Sequence, residues 1–224
     1  MHLQTAFNHF IRKKRLKNLS DKTIENYIAF VSPFVNHFGA SFDIQNLTTE
    51  DILTYIDGLF CKNIADATRA TYIRHLKIFL RWMKDCYNIP VALSEIEIPR
   101  TGKKIVYILS DEDIRHLFSS IECENEWLQL RNCAIVSLML GSGLRQSEVV
   151  TLKWLNIHFD QDYAIVSGKG EKVRCVPMGA VIRNFLLEYK KLCPFRSEYV
   201  FVSRRGDPIT NNTIKQLIQK LKKK

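Results

Sequence analysis

Residues 130–152 read LRNCAIVSLMLGSGLRQSEVVTL, and the character of the chain changes twice within them. From Leu130 to Leu140 the run is apolar on every side, the pattern of a helix buried all round. Gly141 and Gly143 then break that run, and Val149, Leu152 and Trp154 resume an amphipathic spacing that predicts a second helix. The turn between the helices places Arg145 at or near a helix N-terminus, where a guanidinium and backbone amides together could grip an anion. The alternative is an arginine paired with Glu148 at an ordinary helix start.

Downstream, Tyr163 to Val166 and Val173 to Val176 are β-rich runs flanking Ser167-Gly168-Lys169-Gly170-Glu171, the composition of a hairpin turn. Helical spacing returns from Val181 to Leu192. Tyr199 to Val202 reads as a short strand, and Thr210 or Asn211 caps a last helix that runs to Lys222-Lys223-Lys224. Upstream, Ser110 with Asp113 caps another helix.

The first ninety residues are helical throughout. Phe7, Phe10 and Ile11 open them, and Ser20 or Asp21 caps a stripe of Ile24, Tyr27, Ile28, Val31, Phe34, Val35 and Phe38 that ends at Gly39. Thr48 with Asp51 starts Ile52, Tyr55, Ile56 and Leu59; Asp66 or Thr68 starts Tyr72, Ile73, Leu76, Phe79, Leu80 and Met83. The period is lost where Pro90, Pro99, Gly102 and the cluster Arg100, Lys103 and Lys104 suggest an extended basic linker. The expected organisation is a helical domain over 1–88, a linker over 89–104 and a second domain over 105–224. The fold class is mainly α with a small β-sheet.

Composition narrows the partners. With 33 Lys and Arg against 23 Asp and Glu, the formal net charge of the 224 residues is +10, which attracts polyanions through counterion release. A soluble surface with extra lysine would have the same composition. No apolar run approaches the length of a membrane-spanning helix, and the start lacks the apolar core of a signal peptide, so a cytoplasmic protein with no membrane partner is expected. The six cysteines form no Cys-x-x-Cys pair and read as reduced packing residues, and the six scattered histidines suggest no metal site.

Gly143-Leu144-Arg145-Gln146-Ser147-Glu148, followed by Gly168-Lys169-Gly170-Glu171-Lys172-Val173-Arg174-Cys175-Val176-Pro177, resembles the tyrosine recombinase (phage integrase) family, especially its Xer-like members. The helical first domain is similar to that family's SAM-like core-binding domain, and the second to part of its α+β catalytic domain. The resemblance implies site-specific cutting and rejoining of duplex DNA through a phosphotyrosine, without cofactor or metal. It makes double-stranded DNA the partner and other recombinase protomers a second one. Carried over by position, Arg145 is the first catalytic arginine at the scissile phosphate, Glu148 an acidic residue that supports it, and Lys169 the hairpin lysine that acts as general acid on the leaving 5′ oxygen.

The family pattern also requires a later His-x-x-Arg and a tyrosine nucleophile. The last histidine is His158, and the tyrosines after the hairpin are Tyr189, on an apolar helix face, and Tyr199, opening a strand. Both read as core residues, so no nucleophile is assigned and a truncated, cleavage-inactive DNA-binding chain is expected. The alternative is a non-catalytic regulatory protein that occupies recombination sites. The stripe Ile214, Leu217, Ile218 and Leu221 is expected to be partly uncovered.

Overall fold

A computed structural model describes residues 1–102, 107–168 and 173–222. Lys103 and Lys104 of the expected linker, Lys169 with its neighbours Gly170 and Glu171, and the terminal Lys223 and Lys224 lie outside the described residues. The chain divides into two compact units, Met1–Ile105 and Val106–Lys224.

The first unit is built from α1 (Leu3–Leu16), α2 (Asp21–Phe38), α3 (Thr49–Phe60) and α4 (Asp66–Tyr87). Ser20 caps α2 by accepting from the Thr23 amide at 3.4 Å, and Thr48 with Asp51 closes a reciprocal capping box on α3. Helix α4 starts without a side-chain cap. Asp66 is its first residue and pairs instead with Arg69 at 2.5 Å. The apolar stripes meet in one core around Phe10, Phe34 and Phe79, where Phe10 and Phe79 lie edge to face with ring centroids 5.2 Å apart.

That core extends past the helices. Ile89, Val91 and Ile96 are buried in it, and Lys77 and Lys84 donate at 2.6 Å to the carbonyls of Ile96 and Val91 respectively. The first part of the segment read as a linker from residue 89 is therefore packed structure. Its apolar residues lack helical spacing because the segment is an irregular run of tight turns, with the Val91 amide on the Ile89 carbonyl and the Glu95 amide on the Ala92 carbonyl, so periodicity did not mark them as core.

The second unit contains α5 (Asp111–Ser119), α6 (Glu126–Gly141), α7 (Gln146–Thr151), β1 (Ile157–His158), β2 (Tyr163–Ser167), β3 (Val173–Pro177), α8 (Ala180–Leu192) and α9 (Asn211–Leu221). Helix α6 packs on α8 and is buried continuously from Arg131 to Leu138, whereas Leu140, at the end of the run expected to be buried all round, is exposed. The contact is close at Gly141, where a Cβ would lie 3.0 Å from Ile182 Cδ1. The strands form one antiparallel sheet in the order β1-β2-β3, with Val166 opposite Arg174 and Ser167 opposite Val173.

Several local expectations change. Helix α7 ends at Thr151, and Trp154 belongs to a separate 3₁₀ turn, Trp154–Asn156. Tyr199 to Val202 makes only isolated bridges, Lys153 with Tyr199 and Val202 with Pro208. Thr210 is the residue before α9, whose Leu217, Ile218 and Leu221 are half-buried against the cores of this unit. All six thiols are free, yet only Cys133 is buried; Cys61, Cys86 and Cys175 are exposed. Among the described residues no helix is long and apolar enough to cross a membrane.

Packing of the 89–96 segment has a measurable consequence. Ile96→Ala is expected to lower stability by about 2–4 kcal/mol in urea unfolding, the cost of a core cavity. A loss below about 0.5 kcal/mol would mark Ile96 as a linker residue.

Candidate anion-binding site

The turn after α6 sets the site. Gly143 adopts φ +63°, a left-handed conformation that favours glycine, and redirects the chain into α7. Arg145 is then the residue before the helix and Glu148 the third residue within it, so their side chains are neighbours at the i, i+3 spacing.

Glu148 is the centre of the arrangement. Its side chain is fully buried (0% exposed), and both oxygens are occupied. Oε2 accepts from the Arg145 amide at 2.8 Å and Oε1 from Arg145 Nη1 at 3.0 Å. From β3, Arg174 donates Nη1 to Oε1 at 2.5 Å and Nη2 to Oε2 at 2.9 Å, a two-pronged pair, and Nη2 also reaches the Gly143 carbonyl at 3.4 Å. The Arg174 bond, followed by the two bonds from Arg145, outweighs the cost of burial and pulls the Glu148 carboxyl down to about 2. Glu148 is thus ionised throughout the physiological range.

Two guanidiniums share one carboxylate, leaving one positive charge over. Among the described residues no second carboxylate pairs with either arginine. The Arg145 side chain is 70% exposed and that of Arg174 37% exposed, so the surplus charge is presented to solvent mainly through Arg145. Arg145 therefore pairs with Glu148, as one of the two sequence readings has it, while most of its side chain stays exposed to solvent. The backbone amide of Arg145 is taken by Glu148 and is not available to a ligand.

The structure brings Arg145 and Glu148 together; Lys169 lies outside the described residues. Arg174, which lies in the hairpin signature, has no role implied by the resemblance. No short-range signal marks it, because Glu148 lies 26 positions away and only strand register brings the two together. Tyr189 is completely buried, and burial pushes its phenol well above the usual value while the hydroxyl accepts from the Val202 amide at 3.3 Å. Tyr199 is half-buried, with Lys153 Nζ 5.2 Å from its ring centroid. Neither phenol is joined to Arg145 by a hydrogen bond among the described residues. No group of three or more His, Cys, Asp or Glu side chains among them could hold a metal ion.

A helical bundle joined to a mainly α unit with this turn and hairpin defines the class. The Phage integrase family model matches residues 108–224, and its N-terminal SAM-like domain model matches residues 7–86. The chain belongs to the phage integrase family, the tyrosine recombinases. Within that family its relatives are of the Xer type. It is 25% identical over 233 residues to the tyrosine recombinase XerC of Pediococcus pentosaceus, covering 99% of this chain and 77% of that one. To XerC of Staphylococcus aureus (strain MSSA476) it is 27% identical over 230 residues, covering 100% and 76%.

The fold is also that of solved integrases. A lambda integrase tetramer bound to a Holliday junction superposes with a TM-score of 0.79 at 16% identity, covering 99% of this chain and 66% of that one. The Tn1549 transposon integrase in complex with transposon right end DNA gives 0.75 at 20% identity, covering 100% and 79%. The chain thus spans about three quarters of the length of its curated relatives and 66% of lambda integrase.

Ionisation of Glu148 has a pH signature. Its carboxyl lies at about 2 in the folded chain against an ordinary 4.5, so the stabilisation is complete above about pH 4.5 and is lost as pH falls towards 2. Glu148→Gln should be less stable than the parent chain by on the order of 3 kcal/mol near neutrality, and the gap should close as the pH falls. Urea unfolding at a series of pH values measures it; a gap that stays constant down to about pH 3 contradicts the assignment.

Proposed function

We propose that this chain binds duplex DNA as a site-specific recombinase of the tyrosine type, with Arg145 on a backbone phosphate at the point of strand exchange. The observation that supports it is a solvent-facing guanidinium held by a buried carboxylate at the family's Gly-Leu-Arg-x-x-Glu turn. A planar fork fixed from behind can donate two bonds to a phosphate and stabilise the charge that develops there as a P–O bond changes. Lys169, placed by the same resemblance on the hairpin, is proposed as the proton donor to the leaving 5′ oxygen, and Glu148 as the residue that orients Arg145.

Within residues 1–224 the strand-cutting set is incomplete. No histidine follows His158, no tyrosine follows Tyr199, and Tyr189 is enclosed in the core with its phenol kept protonated. A phenol must be exposed and lose its proton to attack phosphorus. These residues by themselves are therefore proposed to occupy DNA without cutting it. Relatives in this family include an integrase tetramer on a Holliday junction, which supports association with further protomers on DNA. The formal charge of +10 supports the same partner.

Gel-shift titrations across a salt series test the binding. Log affinity should fall with log salt by roughly 0.9 for each phosphate neutralised. Arg145→Ala should weaken binding roughly tenfold and reduce that slope by about one. Salt-insensitive binding, or none, would overturn the proposal. With a nicked duplex that traps phosphotyrosine adducts, residues 1–224 should yield none; an adduct would show that one of their eight tyrosines serves as a nucleophile and would overturn the proposal of binding without cutting.

A further inference from the structure

The Glu148 carboxylate has no spare acceptor capacity. It receives four hydrogen bonds, two from Arg174 and two from Arg145, which matches the roughly four lone-pair directions a carboxylate offers. The division between the arginines is unequal. Arg174 takes both oxygens with its guanidinium, at 2.5 and 2.9 Å, whereas the Arg145 guanidinium makes a single bond at 3.0 Å.

We propose that Arg174 is a positioning residue: by occupying Glu148 from the sheet side, it keeps Arg145 from being captured by that carboxylate and leaves its charge and open edge for a phosphate. This rests on the reading of Arg145 as the phosphate ligand. Charge accounting carries the argument. With Arg174 the trio has one net positive charge; without it, Glu148 and Arg145 form a neutral pair. A fully buried carboxylate that loses its main partner cannot turn to water, so it draws the remaining guanidinium into a two-pronged pair. Arg145 would then give up the edge that now faces solvent.

The same residue ties two elements together. Arg174 sits opposite Val166 in the β2–β3 pairing, and its Nη2 also meets the carbonyl of Gly143, the glycine whose left-handed turn aims Arg145. The strand bearing Arg174 is therefore braced against the turn bearing Arg145. Arg174 contributes the largest influence holding the Glu148 carboxyl low, which agrees with its role as principal counterion.

Four forms of the full 224-residue chain test this: the parent, Arg174→Gln, Arg174→Lys, and Glu148→Gln combined with Arg174→Gln. Binding to a mixed-sequence duplex of about 30 base pairs is measured across a salt series. Independently of DNA, the rate at which phenylglyoxal modifies Arg145 is followed by peptide mass spectrometry. Arg174→Gln should bind roughly tenfold more weakly with a salt slope lower by about one, and its Arg145 should be modified several-fold more slowly. Arg174→Lys, which keeps the charge but offers one prong, should fall between. Removing the carboxylate as well should release Arg145, restoring most of the slope and the modification rate.

Parent-like binding and Arg145 reactivity in Arg174→Gln would overturn the proposal. So would a double variant no better than the single one, because a purely structural brace is not repaired by deleting its partner. Should Arg174→Gln fail to fold, Arg174→Lys decides: slower Arg145 modification supports the proposal and an unchanged rate overturns it. If the parent chain shows no salt-sensitive binding while Arg145 reactivity still follows residue 174, the DNA reading fails and the positioning role stands.

Discussion

A single buried carboxylate, Glu148, organises the chemistry-bearing part of this molecule. Excluded from water, it must be satisfied by the protein, and it is satisfied from two directions: by the turn after α6 and by the strand β3. Because both of its partners are cationic, compensating one negative charge leaves one positive charge at the surface. The constraint is local and electrostatic, yet it fixes the relation between elements far apart along the chain. Glycine at 143, a short helix at 146 and a strand at 173 are the backbone devices that let the three side chains meet.

Around that point the second unit supplies a rigid frame. The middle of helix α6 is buried in the core of this unit, and its close approach to Ile182 on α8 at Gly141 holds the start of the turn. The first unit has a separate core of its own, dense in aromatic rings, distinct from that of the second unit. This two-part construction matches the separate N-terminal and integrase matches along the chain.

Much of this was legible in the residues, and the misses have physical causes. Helical stripes and the Ser20, Thr48 and Ser110 caps follow from short-range rules, and the structure contains them. Arg145 and Glu148 were readable because they are three positions apart, a distance at which helix geometry alone makes side chains neighbours. Arg174 was not, since its partner lies 26 positions away and only strand register brings them together. Ile89, Val91 and Ile96 were hidden by prolines and lost periodicity, although they complete the first core. Tyr199 to Val202 has strand composition but makes only isolated bridges, because its backbone bonds are divided between the loop residues Leu152 and Ile209 and the side chains of Ser197, Tyr189 and Arg131.

Arg145, held by Glu148 and largely exposed to solvent, is proposed to meet one backbone phosphate. A phosphate-by-phosphate scan tests it most directly: on a duplex selected for tight binding, each phosphate in turn is replaced by a neutral methylphosphonate, and affinity is measured for the parent chain and for Arg145→Ala. One position should weaken the parent roughly tenfold and leave Arg145→Ala unchanged, so that the two losses do not add. If every position weakens both proteins equally, Arg145 touches no phosphate, contrary to its proposed role.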